Sequence, residues 1–189
     1  MKRNQYTLGK PISFKGNGLH SGIPVTITMR PAPAGSGIIF RRIDLTGAPE
    51  VPAKSEFVTN TLRATTLERG GAKVFTVEHI LSALFALRID NCILEMDAPE
   101  PPVADGGALT FSQMILEAGI MELEEQTDIL TLETSVAVYE DNKFITALPY
   151  DGLRITFTSI NPHPLLGTQM KDFTIDKETY IREIAPSRT

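Results

Sequence analysis

The 189-residue sequence has one cysteine and no tryptophan. Nowhere does it run to the ~18 consecutive apolar residues that a membrane-crossing helix needs. The single cysteine, Cys92, rules out a disulfide within the chain and leaves any cysteine-based zinc site short of ligands. It lies in the apolar run 89–96, where a small buried side chain is expected. The opening MKRNQYTLGK is positively charged, but no apolar stretch of signal-peptide length follows, so the expected location is the cytoplasm. A net charge of −5, with neither a basic run nor an aromatic-basic stripe, removes the electrostatic footprint of a nucleic-acid binder. There are three histidines, His20, His79 and His163. None has a histidine or carboxylate four residues on, which excludes single-helix zinc motifs such as HExxH.

With 42% apolar and 22% charged residues, the composition is that of a globular protein with one large or two small domains. Short alternating segments at 11–14, 25–29 and 38–40, separated by Gly, Pro and Ser, predict strands of a small sheet. Helical spacing takes over after Thr76, IDNCILEMD (89–97) returns to a strand, and 109–118 predicts a second helix capped by Gly119. The acidic MELEEQTD (121–128) then breaks the pattern as a linker would. Strands are expected again at 129–132, 135–139, 144–148 and 153–157.

VTITMRPAPAGSGIIF (25–40) and FITALPYDGLRITF (144–157) both read as strand, proline, glycine-containing turn and a strand ending in phenylalanine. Such self-similarity suggests a duplicated unit. The copy of the helix after Thr76 would fall near or beyond the last residue, so the second unit is expected to be incomplete and the sequence to be part of something longer. The expected division is a first unit at 1–122, a linker at 123–129 and the start of a second unit at 130–189.

In FTVEHILSALFALRIDN (75–91), two ionisable residues, Glu78 and His79, open a helix that otherwise reads as buried. Thr76 is the expected N-cap, and a carboxylate in the first turn gains ~0.3–1 kcal/mol from the helix dipole. Val77, Ile80, Leu81, Leu84 and Leu87 share one face; His79, Ser82, Ala83 and Ala86 share the opposite one, so two faces are packed. The dipole disfavours a cationic imidazole at this end, and neutral imidazole ligates metal. Glu78, ~100° round the helix, could reach a metal-bound water as a general base but could not share the metal. The residues alone leave open a satisfied core histidine, the commoner use, and a metal ligand.

Six blocks, NGLHSG (17–22), MRPAPAGSGIIFRRID (29–44), TVEHILSALFALRIDN (76–91), APEPPVADGGA (98–108), EDNKF (140–144) and IREIAPSRT (181–189), resemble in order the UDP-3-O-acyl-N-acetylglucosamine deacetylases. These are zinc amidases of lipid A biosynthesis in Gram-negative bacteria. The resemblance implies an α+β fold of two similar two-layer α/β sandwich domains, the second incomplete here, with the active site between them. It implies His79 as one ligand of Zn2+, with a histidine and an aspartate beyond Thr189 as the others. It implies Glu78 as general base, Thr189 as a hydroxyl for the oxyanion, and a second-domain histidine, also beyond Thr189, to protonate the leaving amine. Lys143 resembles the basic residue that meets the nucleotide diphosphate, and Leu19 and His20 belong to a loop near the substrate.

The implied partner is a UDP-linked acylated glucosamine, with no nucleic acid and no transmembrane segment. Lacking the rest of the second domain, the chain alone is expected to be inactive and to leave the surface around His79, Ser82 and Ala86 uncovered. INPHP (160–164) has Asn161 and Pro162 where some members carry an aromatic residue. Arg41 and Arg42 are expected to be solvated on the surface, and Asp105 to bond backbone. The contrasting expectation is a non-catalytic interaction domain of the same fold.

Overall fold

The computed structural model describes residues 2–188. In chain order the elements begin with β1 (Lys2–Leu8), β2 (Ile12–Asn17), β3 (Pro24–Pro31), β4 (Ile38–Arg42) and β5 (Glu50–Pro52). A small subsheet follows, β6 (Val58–Asn60), β7 (Thr66–Arg69) and β8 (Ala72–Phe75), then α1 (Glu78–Ala86), β9 (Cys92–Met96), α2 (Leu109–Ala118) and β10 (Ile120–Asp128). The remainder contains β11 (Val136–Glu140), β12 (Lys143–Ala147), β13 (Arg154–Ile160), β14 (Thr168–Thr174) and a helical turn α3 (Lys177–Thr179) that runs on as a π turn, Tyr180–Ile184. The fold is α+β. No helix among the described residues is long and apolar enough to cross a membrane.

The main sheet has the order β2-β3-β9-β4-β5, antiparallel except where β4 runs parallel to β9. Its buried face follows from period-2 alternation: Val25, Ile27 and Met29 on β3 and Cys92, Leu94 and Met96 on β9 are buried. Ile80, Ala83 and Leu84 of α1 and Phe111, Met114 and Ile115 of α2 close the same core. Burial pushes the Cys92 thiol up to about 12, so it is a small apolar core side chain, as expected.

Helix α1 starts one residue later than its sequence suggests. Thr76 is no N-cap: it sits in the left-handed region at φ 58°, and Val77 takes the cap position without a side-chain bond. At the other end Arg88, at φ 59°, closes the helix: its N–H donates to Phe85 O and Ile89 N–H to Leu84 O, the paired bonds of a Schellman motif. Helix α2 spans the expected residues and ends at Gly119, φ 78°.

Residues 121–128 form a strand and not an irregular connection, because β10 pairs antiparallel with β1. The acidic strand meets a basic one: Lys2 faces Asp128, and Glu122 accepts from Tyr6 Oη and Asn4 Nδ2. Residues 129–132 are not a strand. Arg42 is also not at the surface; it is 6% exposed, paired bidentately with Asp44 and donating to Lys73 O at 2.6 Å, which ties β4 to the β7–β8 hairpin.

β11–β12 and β13–β14 are separate antiparallel hairpins. Leu153, Ile155 and Ile175 come against Ser82, Phe85 and Ala86 of α1, together with Tyr180 and Ile184, around a cavity of about 140 Å³. Ser82 and Ala86 are therefore half-buried and not left open, because the start of β13 and the segment after β14 come against them.

Candidate functional site

The site is built around the entry to α1. Glu78 and His79 are both half-buried in its first turn. The Glu78 carboxylate accepts the Thr65 N–H at 3.1 Å. The backbone carbonyl of His79 accepts the Ser82 hydroxyl at 2.9 Å, and Ser82 Oγ lies 2.8 Å from Tyr180 Oη. Tyr180 is buried, which pushes its phenol above the usual range against hydrogen bonding from Ser82 and Ser112. The far half of the chain thus reaches the helix one turn from His79.

Beside this turn lies a cavity of about 230 Å³ lined by His20, Leu62, Arg63, Thr66, Lys73 and Phe75 among others. Residues 62–66 join the two features, since they wall the cavity while Thr65 holds Glu78. Arg63 adopts φ 63°, which turns the chain between β6 and β7. Leu19 and His20 are exposed on the 18–22 loop, with His20 at the cavity. That loop is anchored by Glu100, fully buried, whose carboxylate accepts His20 N–H at 3.0 Å, Ser21 N–H at 2.8 Å and the Thr76 hydroxyl at 2.7 Å. Burial would push Glu100 up, but these donors win and hold it below the ordinary carboxylate range. Gly18 is required here, because a Cβ would lie 2.3 Å from Glu100 Oε2.

The C-terminal segment docks on the start of α2. Ala185, fully buried, accepts Ala108 N–H at 2.9 Å, and at Gly107 a Cβ would meet Ser187 O at 2.7 Å and Ala185 O at 2.8 Å. Thr189 lies outside the described residues, one position beyond this docked segment. Asp105 bonds locally as expected, accepting from the Thr110 hydroxyl at 3.0 Å and its N–H at 3.5 Å.

Lys143 is exposed at the tip of the β11–β12 hairpin, opposite Glu140, and forms no hydrogen bond or ion pair with the α1 group among the described residues. Ile160 ends β13 and residues 161–164 lie in the exposed turn between β13 and β14, where His163 Nδ1 accepts Leu165 N–H at 3.2 Å. Among the described residues no three His, Cys, Asp or Glu side chains gather to hold a metal ion. The donor set at α1 is one imidazole, His79, beside a carboxylate bonded to backbone, which by itself does not fit a four-coordinate zinc.

Glu100, Thr76, Tyr180 and residues 62–66 were not apparent as site residues from sequence. A glutamate among prolines reads as surface charge, and a left-handed threonine carries no compositional sign.

A sequence model described as LpxC, UDP-3-O-acyl N-acetylglycosamine deacetylase, matches residues 5–189. The chain is 43% identical over 189 residues to the bifunctional enzyme LpxC/FabZ of Chlorobaculum tepidum, covering 98% of this chain and 40% of that one. It is 41% identical over 186 residues to the UDP-3-O-acyl-N-acetylglucosamine deacetylase of Anaeromyxobacter dehalogenans, covering 98% and 60%. For the Myxococcus xanthus protein of the same name the identity is 42% over 186 residues, covering 98% and 59%. The chain therefore spans less than two thirds of the length of these relatives.

Proposed function

Because the chain belongs to the LpxC family of deacetylases, we propose that it forms the first domain and the beginning of the second of an enzyme of lipid A biosynthesis. That enzyme hydrolyses the acetamide of UDP-3-O-acyl-N-acetylglucosamine in the cytoplasm. The carrying observation is the Glu78–His79 pair at the head of α1, with Glu78 held by the amide of a loop that also walls the His20 cavity. The proposed boundary lies between β10 and β11. In support, β12 pairs with the strand before it and β13 with the strand after it, as β3 pairs with β2 and β4 with β5 in the first unit.

His79 is proposed as one zinc ligand, the other donors lying in the part of the relatives' length that this chain does not span. When bound, zinc acidifies a water and polarises the amide carbonyl. Glu78 takes a proton from the water whose oxygen attacks the carbonyl carbon; the C–N bond breaks, acetate leaves, and the sugar amine takes its proton from the second-domain histidine that the family resemblance implies beyond Thr189. Thr189 is the proposed hydroxyl donor to the oxyanion. Lys143 is proposed to meet the diphosphate, and Leu19 and His20 to border the substrate.

The test is release of acetate from UDP-3-O-acyl-N-acetylglucosamine by the full reading frame that contains residues 1–189. Turnover that persists undiminished on a nucleotide-free glucosamide would overturn the substrate assignment, and no turnover on either would leave an interaction domain of this fold. In the same assay Lys143→Ala should raise KM more than it lowers kcat, because a contact to a non-reacting diphosphate provides uniform binding.

A further inference from the structure

We propose that Glu100 is the positioning residue of this site: its buried carboxylate locks Thr76 in the left-handed conformation that sets the entry of α1, and the same group pins the His20 loop.

Thr76 is a β-branched residue at φ 58°, a conformation that costs of order 1–3 kcal/mol and persists only where its surroundings impose it. The bond from Thr76 Oγ1 to Glu100 at 2.7 Å is the imposing contact, reinforced by Phe75 N–H donating to Pro99 O at 3.1 Å. Glu78 follows two residues later, so relaxation of Thr76 to negative φ would redirect the first turn that carries Glu78 and His79. On its other side Glu100 accepts the N–H groups of His20 and Ser21. His20 and Phe75 both line the 230 Å³ cavity. The His20 wall of the cavity and the entry to α1 therefore share one anion.

No cation forms an ion pair with Glu100 among the described residues. A carboxylate that accepts from the His20 and Ser21 amides and the Thr76 hydroxyl with no counter-charge suits orientation. Glutamine is isosteric but turns one acceptor oxygen into a donor facing those donors.

This inference rests on the proposed hydrolysis for its kinetic readout but not for its structural one. Glu100→Gln, Thr76→Val and Thr76→Ser are to be made in the full reading frame and followed by amide hydrogen exchange, thermal unfolding and deacetylation kinetics. In Glu100→Gln the His20 and Ser21 amides should exchange about tenfold faster or more, and kcat should fall by about ten- to a hundredfold with KM within about threefold, the pattern of misplaced catalytic groups. Thr76→Val, which loses the hydroxyl, should reproduce the loss of kcat; Thr76→Ser, which keeps it, should stay near wild type. Glu100→Gln with Thr76→Val should be no worse than the more damaging single variant.

Unchanged exchange at His20 and Ser21, additive losses, or equal damage in Thr76→Ser and Thr76→Val would overturn the proposal. Should Glu100→Gln fail to fold, the Thr76 pair still decides it. A wild-type protein with no deacetylation would defeat the proposed function, while the exchange measurement would still test Glu100.

Discussion

Glu78 and His79 are neighbours in sequence but are held differently. The carboxylate of Glu78 is fixed by the Thr65 amide, whereas the His79 backbone is tied through Ser82 to Tyr180. A general base that is not a ligand should be removable without losing the metal. Glu78→Ala in the full reading frame is therefore expected to keep its zinc while kcat falls by ~10²–10⁴-fold, and His79→Ala is expected to lose zinc and activity together. Metal analysis of the two purified variants checks this. Equal zinc loss in both would end the division of roles.

At the scale of elements, the C-terminal segment and the α2 entry fit because position 107 has no side chain. Both groups that a Cβ would strike are backbone carbonyls, which cannot swing aside as a side chain would. Gly107→Ala should cost ~1–3 kcal/mol in thermal unfolding and expose residues 185–188 to limited proteolysis. A variant with wild-type stability and protection would show that the segment docks elsewhere. The β13–β14 hairpin carries its own electrostatic lock: Arg154 and then Thr156 bond Asp172 and lower its carboxyl to about 2. Because the folded value lies below the unfolded one, the pair supports the hairpin at neutral pH. That support fades as pH falls from the ordinary aspartate range towards 2. A carbon NMR titration should find the Asp172 midpoint near 2, and Arg154→Ala should return it towards the ordinary ~4. The pair is exposed, so high salt should weaken the shift.

For the molecule as a whole, α1 offers one imidazole, and no three-donor cluster gathers among the described residues of the 189-residue polypeptide. After dialysis it should hold less than one zinc per chain and release no acetate from the nucleotide-linked substrate. Tight one-to-one zinc with turnover would require His20 or His163 to complete a site. The second half also exposes Val136, Val138 and Ile145, which the β11–β12 register places on one face of that hairpin. Sedimentation at rising concentration should reveal self-association, and a monomer at every concentration would count against an unpartnered apolar face.

The sequence by itself determined the parts that depend on local pattern. The β3, β4 and β9 strands, α1 and α2 follow from apolar periodicity, and Gly119 marks a helix end because glycine accepts positive φ. The family blocks marked Glu78 and His79 for the same reason, since adjacency on one helical turn is a property of the chain. β1 and β10 were hidden because their residues are polar and their stability lies in cross-strand charge and hydrogen-bond pairs between segments more than a hundred residues apart. Arg42 was misplaced because burial of a guanidinium depends on Asp44 and the Lys73 carbonyl meeting it, which alternation does not reveal. Only the tertiary structure made Glu100 a hub. Three donors from two distant segments must converge before a buried anion is cheaper than a solvated one, and that convergence is what bends Thr76 and sets the head of α1.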